Sequence, residues 1–328
     1  MTNRIALSTL ILMAMSQTAL AQFDDGFGSD SFFGPDGAPG AQYISPDETV
    51  RADIGVGAMF LEGNEYVYSG DYRVSRLNWQ SRAPVLRGSI DVNLASRFSV
   101  RAEGSAAGFG TSYMEDYDWL GGSDAEANWT HRSQHDDTRL DHYFSGSLAL
   151  GYELFNDGKS NVRFLAGGEY TDVKWSAYGG SYIYSTTTLR DTMGVFPAGS
   201  PAIAYRQQFP EIFAGFDGDV QFDNVRWGGM MRGGLTVYSR ATDDHWMRNI
   251  NFVDTLKVAP SFALGTDIGY KLGQNAELFL AARYDQIMEQ RGDTVSTDTT
   301  TGTATTFRDG GAGQLQSLTL TGGLKGKF

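Results

Sequence analysis

Residues 142–154 read HYFSGSLALGYEL, and residues 315–328 read LQSLTLTGGLKGKF. In the first, Phe144, Leu148, Leu150, Tyr152 and Leu154 fall on even positions, against Ser145, Ser147, Ala149 and Glu153 on odd ones. In the second, Leu318, Leu320, Leu324 and Phe328 oppose Ser317, Thr319, Thr321, Lys325 and Lys327. A period of two belongs to extended chain, whose successive side chains point to opposite faces. Each strand therefore carries one apolar face and one polar or charged face. The pattern recurs at 98–106, where Phe98, Val100 and Ala102 oppose Arg101 and Glu103. It recurs again at 276–285, where Leu278, Leu280, Ala282 and Tyr284 oppose Glu277, Arg283 and Asp285.

Outward from these stretches, the alternation predicts ten strands, at 50–68, 73–95, 97–114, 138–156, 160–178, 202–221, 224–242, 252–273, 275–290 and 311–328. Short connections carry turn residues at 94–97, 156–159, 222–224 and 272–275, and long polar ones fall at 115–137, 179–201, 241–251 and 291–310. Short turns at one end and long loops at the other suit an outer-membrane barrel. A soluble β-sandwich also alternates. Several of these strands, however, exceed ~15 residues, which is long for a sandwich. The last strand also ends in Phe328, as outer-membrane barrels commonly do. The expected class is all-β, a ten-stranded antiparallel transmembrane β-barrel of the outer membrane.

The segment before the barrel fits export. Arg4 is followed by the apolar run from Ile5 to Met15 and by Ala19-Leu20-Ala21, an A-x-A cleavage pattern. We expect a signal peptide over 1–21, a Gly/Asp/Phe-rich flexible tail over 22–48 and the barrel over 49–328. The chain has no cysteine, which excludes disulfides and thiolate chemistry. Its net charge of −13 argues against a nucleic-acid partner and favours cationic ones. The mean hydropathy of −0.31 does not contradict a membrane barrel, because half of each strand faces a polar lumen. Arg87, Asp91, Arg101, Glu103, Glu153, Arg163, Glu169 and Arg283 are expected to cross that lumen and plug it, which disfavours a diffusion pore.

Fold does not fix function, so the loops must. Asp116 and Asp118, in Glu115-Asp116-Tyr117-Asp118-Trp119, are two apart and share a face in extended chain. Two close carboxylates repel, one tends to keep its proton, and such a pair can polarise a water. A solvated acidic loop or a weak cation site has the same pattern. Asp243 and His245 are likewise two apart. A carboxylate beside an imidazole fixes its tautomer, which suits a base that activates water; a surface histidine reads the same way. His131 and His135 lie in Trp129-Thr130-His131-Arg132-Ser133-Gln134-His135, but no zinc-ligand spacing is present and no metal is expected. Ser133 near His135 is weak support for a serine mechanism, and no G-x-S-x-G elbow occurs.

MEDYDW (114–119), WTHRSQHDDT (129–138), GGSYIYS (179–185) and DDH (243–245) together resemble the omptins, outer-membrane proteases of Gram-negative bacteria, over residues 46–328. The resemblance implies an aspartic-type endopeptidase at the cell surface, with its active site in a groove at the extracellular rim. It implies catalytic roles for Asp116, Asp118, Asp243 and His245, with a water between the two pairs and no acyl-enzyme. It also implies peptide or protein substrates, cleavage after basic residues, no cofactor, and contact with outer-membrane lipid. For substrate binding, Glu65 matches an acid of the P1 pocket. Ala241 stands where its acidic companion is expected, and His131 where the acid of the P1′ pocket is expected. Basic preference at P1 is thus expected to rest on Glu65, with a relaxed P1′. The frame's proline is replaced by Asp136. The family needs lipopolysaccharide, yet Asp172, in GGEYTDVKWSAY (167–178), stands where an arginine would meet phosphate, which argues against that dependence here. The alternative is a non-catalytic adhesin or surface-binding barrel on the same scaffold; retention of all four catalytic positions favours the enzyme.

Overall fold

The structure is a computed structural model that describes residues 49–95 and 97–328. The expected signal peptide and the whole of the expected tail lie outside those residues. Fifteen strands form one sheet. In chain order they are β1 (Val50–Ser69), β2 (Tyr72–Ala95), β3 (Phe98–Ala107), β4 (Thr111–Asp118), β5 (His131–Asn156), β6 (Ser160–Tyr178), β7 (Ser181–Tyr184), β8 (Thr192–Val195), β9 (Pro201–Phe222), β10 (Val225–Thr236), β11 (Arg240–His245), β12 (Ile250–Leu256), β13 (Pro260–Lys271), β14 (Ala276–Asp298) and β15 (Ala304–Lys327). The pairs β3–β4, β10–β11 and β12–β13 are single staves interrupted by a few residues, and β7–β8 is a hairpin inside a loop. Ten staves remain, paired antiparallel. β1 pairs with both β2 and β15, so the sheet closes on itself.

Closure removes the unpaired edges that an open sheet exposes, which the interior of a bilayer demands. The lipid-facing signal is explicit. Ile54, Val56, Leu86, Ile90, Leu148, Leu150, Leu278, Leu280, Leu320 and Leu324 are 45–66% exposed. They are contiguous through cross-strand pairs such as Ile54↔Leu324, Val56↔Leu86 and Leu278↔Leu324. Water would not tolerate so continuous an apolar belt; lipid requires it.

The turns at the narrow-loop end fall where the sequence places them, and the opposite end departs from expectation. β5 starts at His131, β14 runs to Asp298, and β15 starts at Ala304, so about half of the stretch expected as a loop at 115–137 and most of that at 291–310 are strand. A 26-residue strand such as β5 is about 85 Å long at ~3.3 Å per residue, far more than a bilayer needs even when tilted. The barrel wall therefore continues beyond the lipid. There both faces meet water or polar groups, and the apolar alternation that marks a strand fades although the backbone ladder goes on.

Inside, charges bridge the lumen as expected. Arg163 contacts Asp91 and Asp217, each at 2.6 Å, Arg101 contacts Asp217 at 2.9 Å, and Arg283 contacts Glu103 at 2.9 Å. Glu153 is the exception: it sits by the 157–159 turn, accepting from Asn156 and Asn161. Towards the loop end an aromatic layer takes over. Trp79 of β2 stacks on Trp175 of β6 at 6.0 Å and on Tyr205 of β9 at 5.9 Å, and all three rings are fully buried. This layer is the floor on which the candidate site rests.

Candidate active site

Asp116 and Asp118 stand on the lumen face of β4. Asp116 pairs across to Leu77 of β2 and Ser133 of β5, and Asp118 to Ser75 and His131. Period two sets both carboxylates inward and turns Tyr117 outward, where it stacks on Trp119. The Ser75 hydroxyl donates to Asp116 Oδ1 at 3.1 Å. Burial, and then the neighbouring Asp118, push the Asp116 carboxyl well above the ordinary aspartate range. Burial raises Asp118 as well. Two such groups share a proton readily.

Asp243 and His245 stand on β11, held between β9 and β12. His245 Nε2 lies 2.6 Å from Asp243 Oδ2. The ring meets Phe252 edge-on at 5.4 Å, which fixes its plane. Arg248, after a single 3₁₀ turn over Trp246–Arg248, brings its guanidinium to His245 Nδ1. A guanidinium only donates, so Nδ1 is the acceptor there and Nε2–H donates to Asp243.

The two pairs meet. The field of Asp243 acts on Asp116, that of His245 acts on Asp118, and Arg248 acts on both members of the β4 pair. β4 and β11 lie on opposite arcs of the ring, so only convergence across the barrel mouth gives this coupling. Glu65, on β1 and 3% exposed, is buried beside them. It lies within hydrogen-bonding reach of Asp243. Burial, followed by Asp243 and Asp254, raises its carboxyl far above the usual glutamate range. Glu65 Oε2 and Asp243 Oδ1 have no other partner among the described residues.

The remaining expected site residues also border the cleft. His131 lies beside Asp118 and against Tyr184, with ring centres 5.0 Å apart. Ala241 is buried two residues before Asp243 and on the same face. The Ser133 hydroxyl and His135 Nε2 are hydrogen-bonded at 3.0 Å, but that ring is buried and stacked flat on Phe196. Burial holds the His135 imidazole below its ordinary value, while Ser133 stands directly opposite Asp116 on the next strand. The Gly179-Gly180 pair that opens GGSYIYS has positive φ at both residues, 53° and 109°. This bend swings the β7–β8 hairpin onto β5, where Tyr182 pairs with Ser133. Arg248, Asp254 and Gln207 were missed by sequence reasoning. Strand pairing brings Gln207 and Asp254 to either side of Ala241, and the turn after β11 brings in Arg248.

A cavity of about 390 Å³ lies elsewhere in the barrel. It lies at the narrow-turn end among Arg51, Asp53, Arg226, Asp267 and Lys325, and none of the four paired residues lines it. Among the described residues no cluster of His, Asp and Glu has a metal-binding arrangement.

The family model of the omptins matches residues 46–328. The chain belongs to the omptin family. Among its relatives are Protease 7 of Escherichia coli K12, 28% identical over 87% of this chain and 92% of the relative, and the plasminogen activator of Yersinia pestis, 27% identical over 87% and 91%. The crystal structure of the outer membrane protease OmpT from Escherichia coli superposes with a TM-score of 0.82 at 26% identity, covering 88% of this chain and 99% of that one. This omptin is an outer-membrane β-barrel and, with its relatives, a peptidase.

Proposed function

We propose that this omptin cleaves polypeptides at the cell surface, after basic residues, by a water activated between the Asp243–His245 dyad and the Asp116–Asp118 pair. The observation that carries the reading is the mutual electrostatic coupling of the two pairs across the barrel mouth. His245 offers the Nδ1 lone pair to the cleft, because Nε2–H is engaged by Asp243. Arg248 moves off Nδ1 as substrate enters, and a water takes its place. The water attacks the scissile carbonyl carbon while Nδ1 accepts its proton. Asp243 stabilises the imidazolium that forms. The carbonyl oxygen becomes an oxyanion, and the proton shared by Asp116 and Asp118 is positioned to meet it. The tetrahedral intermediate collapses as His245 returns its proton to the leaving amine, so the dyad ends as it began. No covalent acyl-enzyme forms.

The test is cleavage of a fluorogenic dibasic peptide by the refolded chain, wild type beside His245→Ala and Asp116→Asn. Each variant is expected to lose about 10³-fold or more in kcat/KM while still migrating as a folded barrel. Activity surviving in both would overturn the mechanism. Substrate binding by a wild-type protein that never cleaves would favour the adhesin reading instead.

A further inference from the structure

Beside the dyad lies a set of hydrogen-bond acceptors short of donors. Glu65 Oε2 and Gln207 Oε1 are both buried and unpartnered, on side chains 3% and 0% exposed. Gln207 spends its amide nitrogen on Asn64 O, Tyr205 Oη and Gln314 O, which leaves its carbonyl oxygen bare. Asp254, 4% exposed, takes a single hydrogen bond, from Thr294 Oγ1 at 2.6 Å. The charges that act most strongly on Glu65 are Asp243, Asp254 and Asp116, all of one sign.

These groups are arranged and not scattered. Gln207 of β9, Ala241 of β11, Asp254 of β12 and Thr294 of β14 form one cross-strand row, each directly opposite the next. Opposed residues in an antiparallel sheet share a face, so Asp254 presents its carboxylate on the same face as Asp243 and His245, over the small methyl of Ala241. Gly311 and Gly313 of β15 stand between Asp254 and Glu65. A Cβ at Gly311 would fall 2.4 Å from Asp254 Oδ1, and Gly313 pairs directly with Glu65. A side chain at Gly311 would displace the Asp254 carboxylate and one at Gly313 would crowd the Gln207 amide; glycine admits both.

Buried acceptors of like charge without a donor are costly, and a cation with several N–H groups relieves them together. A guanidinium has five donors in a fixed fork. We infer that Asp254 is a specificity-determining residue: with Glu65 and Gln207 it receives the arginine side chain that precedes the scissile bond, supplying from β12 the second carboxylate that Ala241 cannot supply from β11. The inference rests on the proposed peptidase cleft. It adds to it a residue and a preference for arginine over a neutral side chain of the same shape.

The experiment compares two fluorogenic peptides that differ only at P1, arginine in one and citrulline in the other, with the refolded full chain. Citrulline keeps the shape and removes the charge. Wild type is expected to favour arginine at least 100-fold in kcat/KM. Asp254→Asn is expected to cut that ratio tenfold or more, and Asp254→Glu to restore most of it. A merely structural role would lower both rates and leave the ratio alone. An unchanged ratio in a folded Asp254→Asn protein overturns the inference while the peptidase reading stands. If the wild type cleaves neither these peptides nor the dibasic one, the peptidase reading fails and the inference with it.

Discussion

Arg248 reaches the ring of His245 because the chain makes one 3₁₀ turn and then reverses through Asn249 at φ 54°. Its guanidinium lowers the proton affinity of both Asp116 and Asp118, against the burial that raises it. The sign of its loss follows. Without that cation the pair holds its protons to higher pH, and one of them must leave before the pair takes its single-proton form. Arg248→Gln is therefore expected to move the acidic limb of the pH dependence of kcat/KM upward. A limb that stays in place, or moves to lower pH, means that the guanidinium does not govern the pair. The Asp116–Asp118 pair and the Asp243–His245 dyad were readable in sequence because two-residue spacing puts both members of each on one face. Arg248 was not. It stands three residues beyond His245, outside any strand periodicity, and only the turn geometry aims it.

At the scale of elements, the β7–β8 hairpin forms a wall of the cleft without belonging to the ring. It joins β5 through Arg132↔Ile183, Ser133↔Tyr182 and Gln134↔Ser181, and Tyr184 senses Asp116, Asp118 and Arg248. Its angle depends on Gly180. A Cβ there would lie 2.4 Å from the Gln134 carbonyl oxygen and 2.7 Å from His135 Nδ1, at a φ of 109° that side chains avoid. Gly180→Ala is expected to shift the hairpin and lower kcat/KM about 10²-fold, the cost of a small misplacement at a reacting centre. Barrel unfolding in urea should change little, since the ring closes without the hairpin. A variant of full activity would remove the hairpin from the site. The hairpin itself was read from sequence only as loop 179–201. The extended upper parts of β5, β14 and β15 were missed for a related reason. Beyond the lipid the inward and outward faces are both polar, as in His131-Arg132-Ser133-Gln134 and Ala304-Thr305-Thr306-Phe307, so strand persists where its hydrophobic signature does not.

For the molecule as a whole, lipid outside and charge inside pose opposite problems, and the same alternation answers both. The apolar belt was legible because lipid contact demands an apolar side chain at every second position. The polar lumen was legible for the same reason, although the partners within it were not. Asp217, the acid that gathers Arg101 and Arg163, stands out in no local pattern, because its partners are 116 and 54 residues away. Arg163 is the keystone of that lattice. It spans from β6 to Asp91 on β2 and Asp217 on β9, and its side chain is 13% exposed. Removing it leaves two buried carboxylates facing each other with fewer counter-charges. Loss of one partner in a buried ion network costs about 3–5 kcal/mol, whereas replacing the whole group by uncharged residues costs far less. Arg163→Met is thus expected to lower the urea-unfolding free energy of the barrel in lipid vesicles by about that amount. The triple variant Arg163→Met, Asp91→Asn, Asp217→Asn should recover most of the loss, with Arg101 left to Glu103, its other partner at 2.7 Å. If the single variant is as stable as wild type, water already screens the lattice and the lumen is wetter than these contacts imply. If instead the triple variant is less stable than the single one, the ion pairs hold the barrel by net attraction and not merely by cancelling one another's charge.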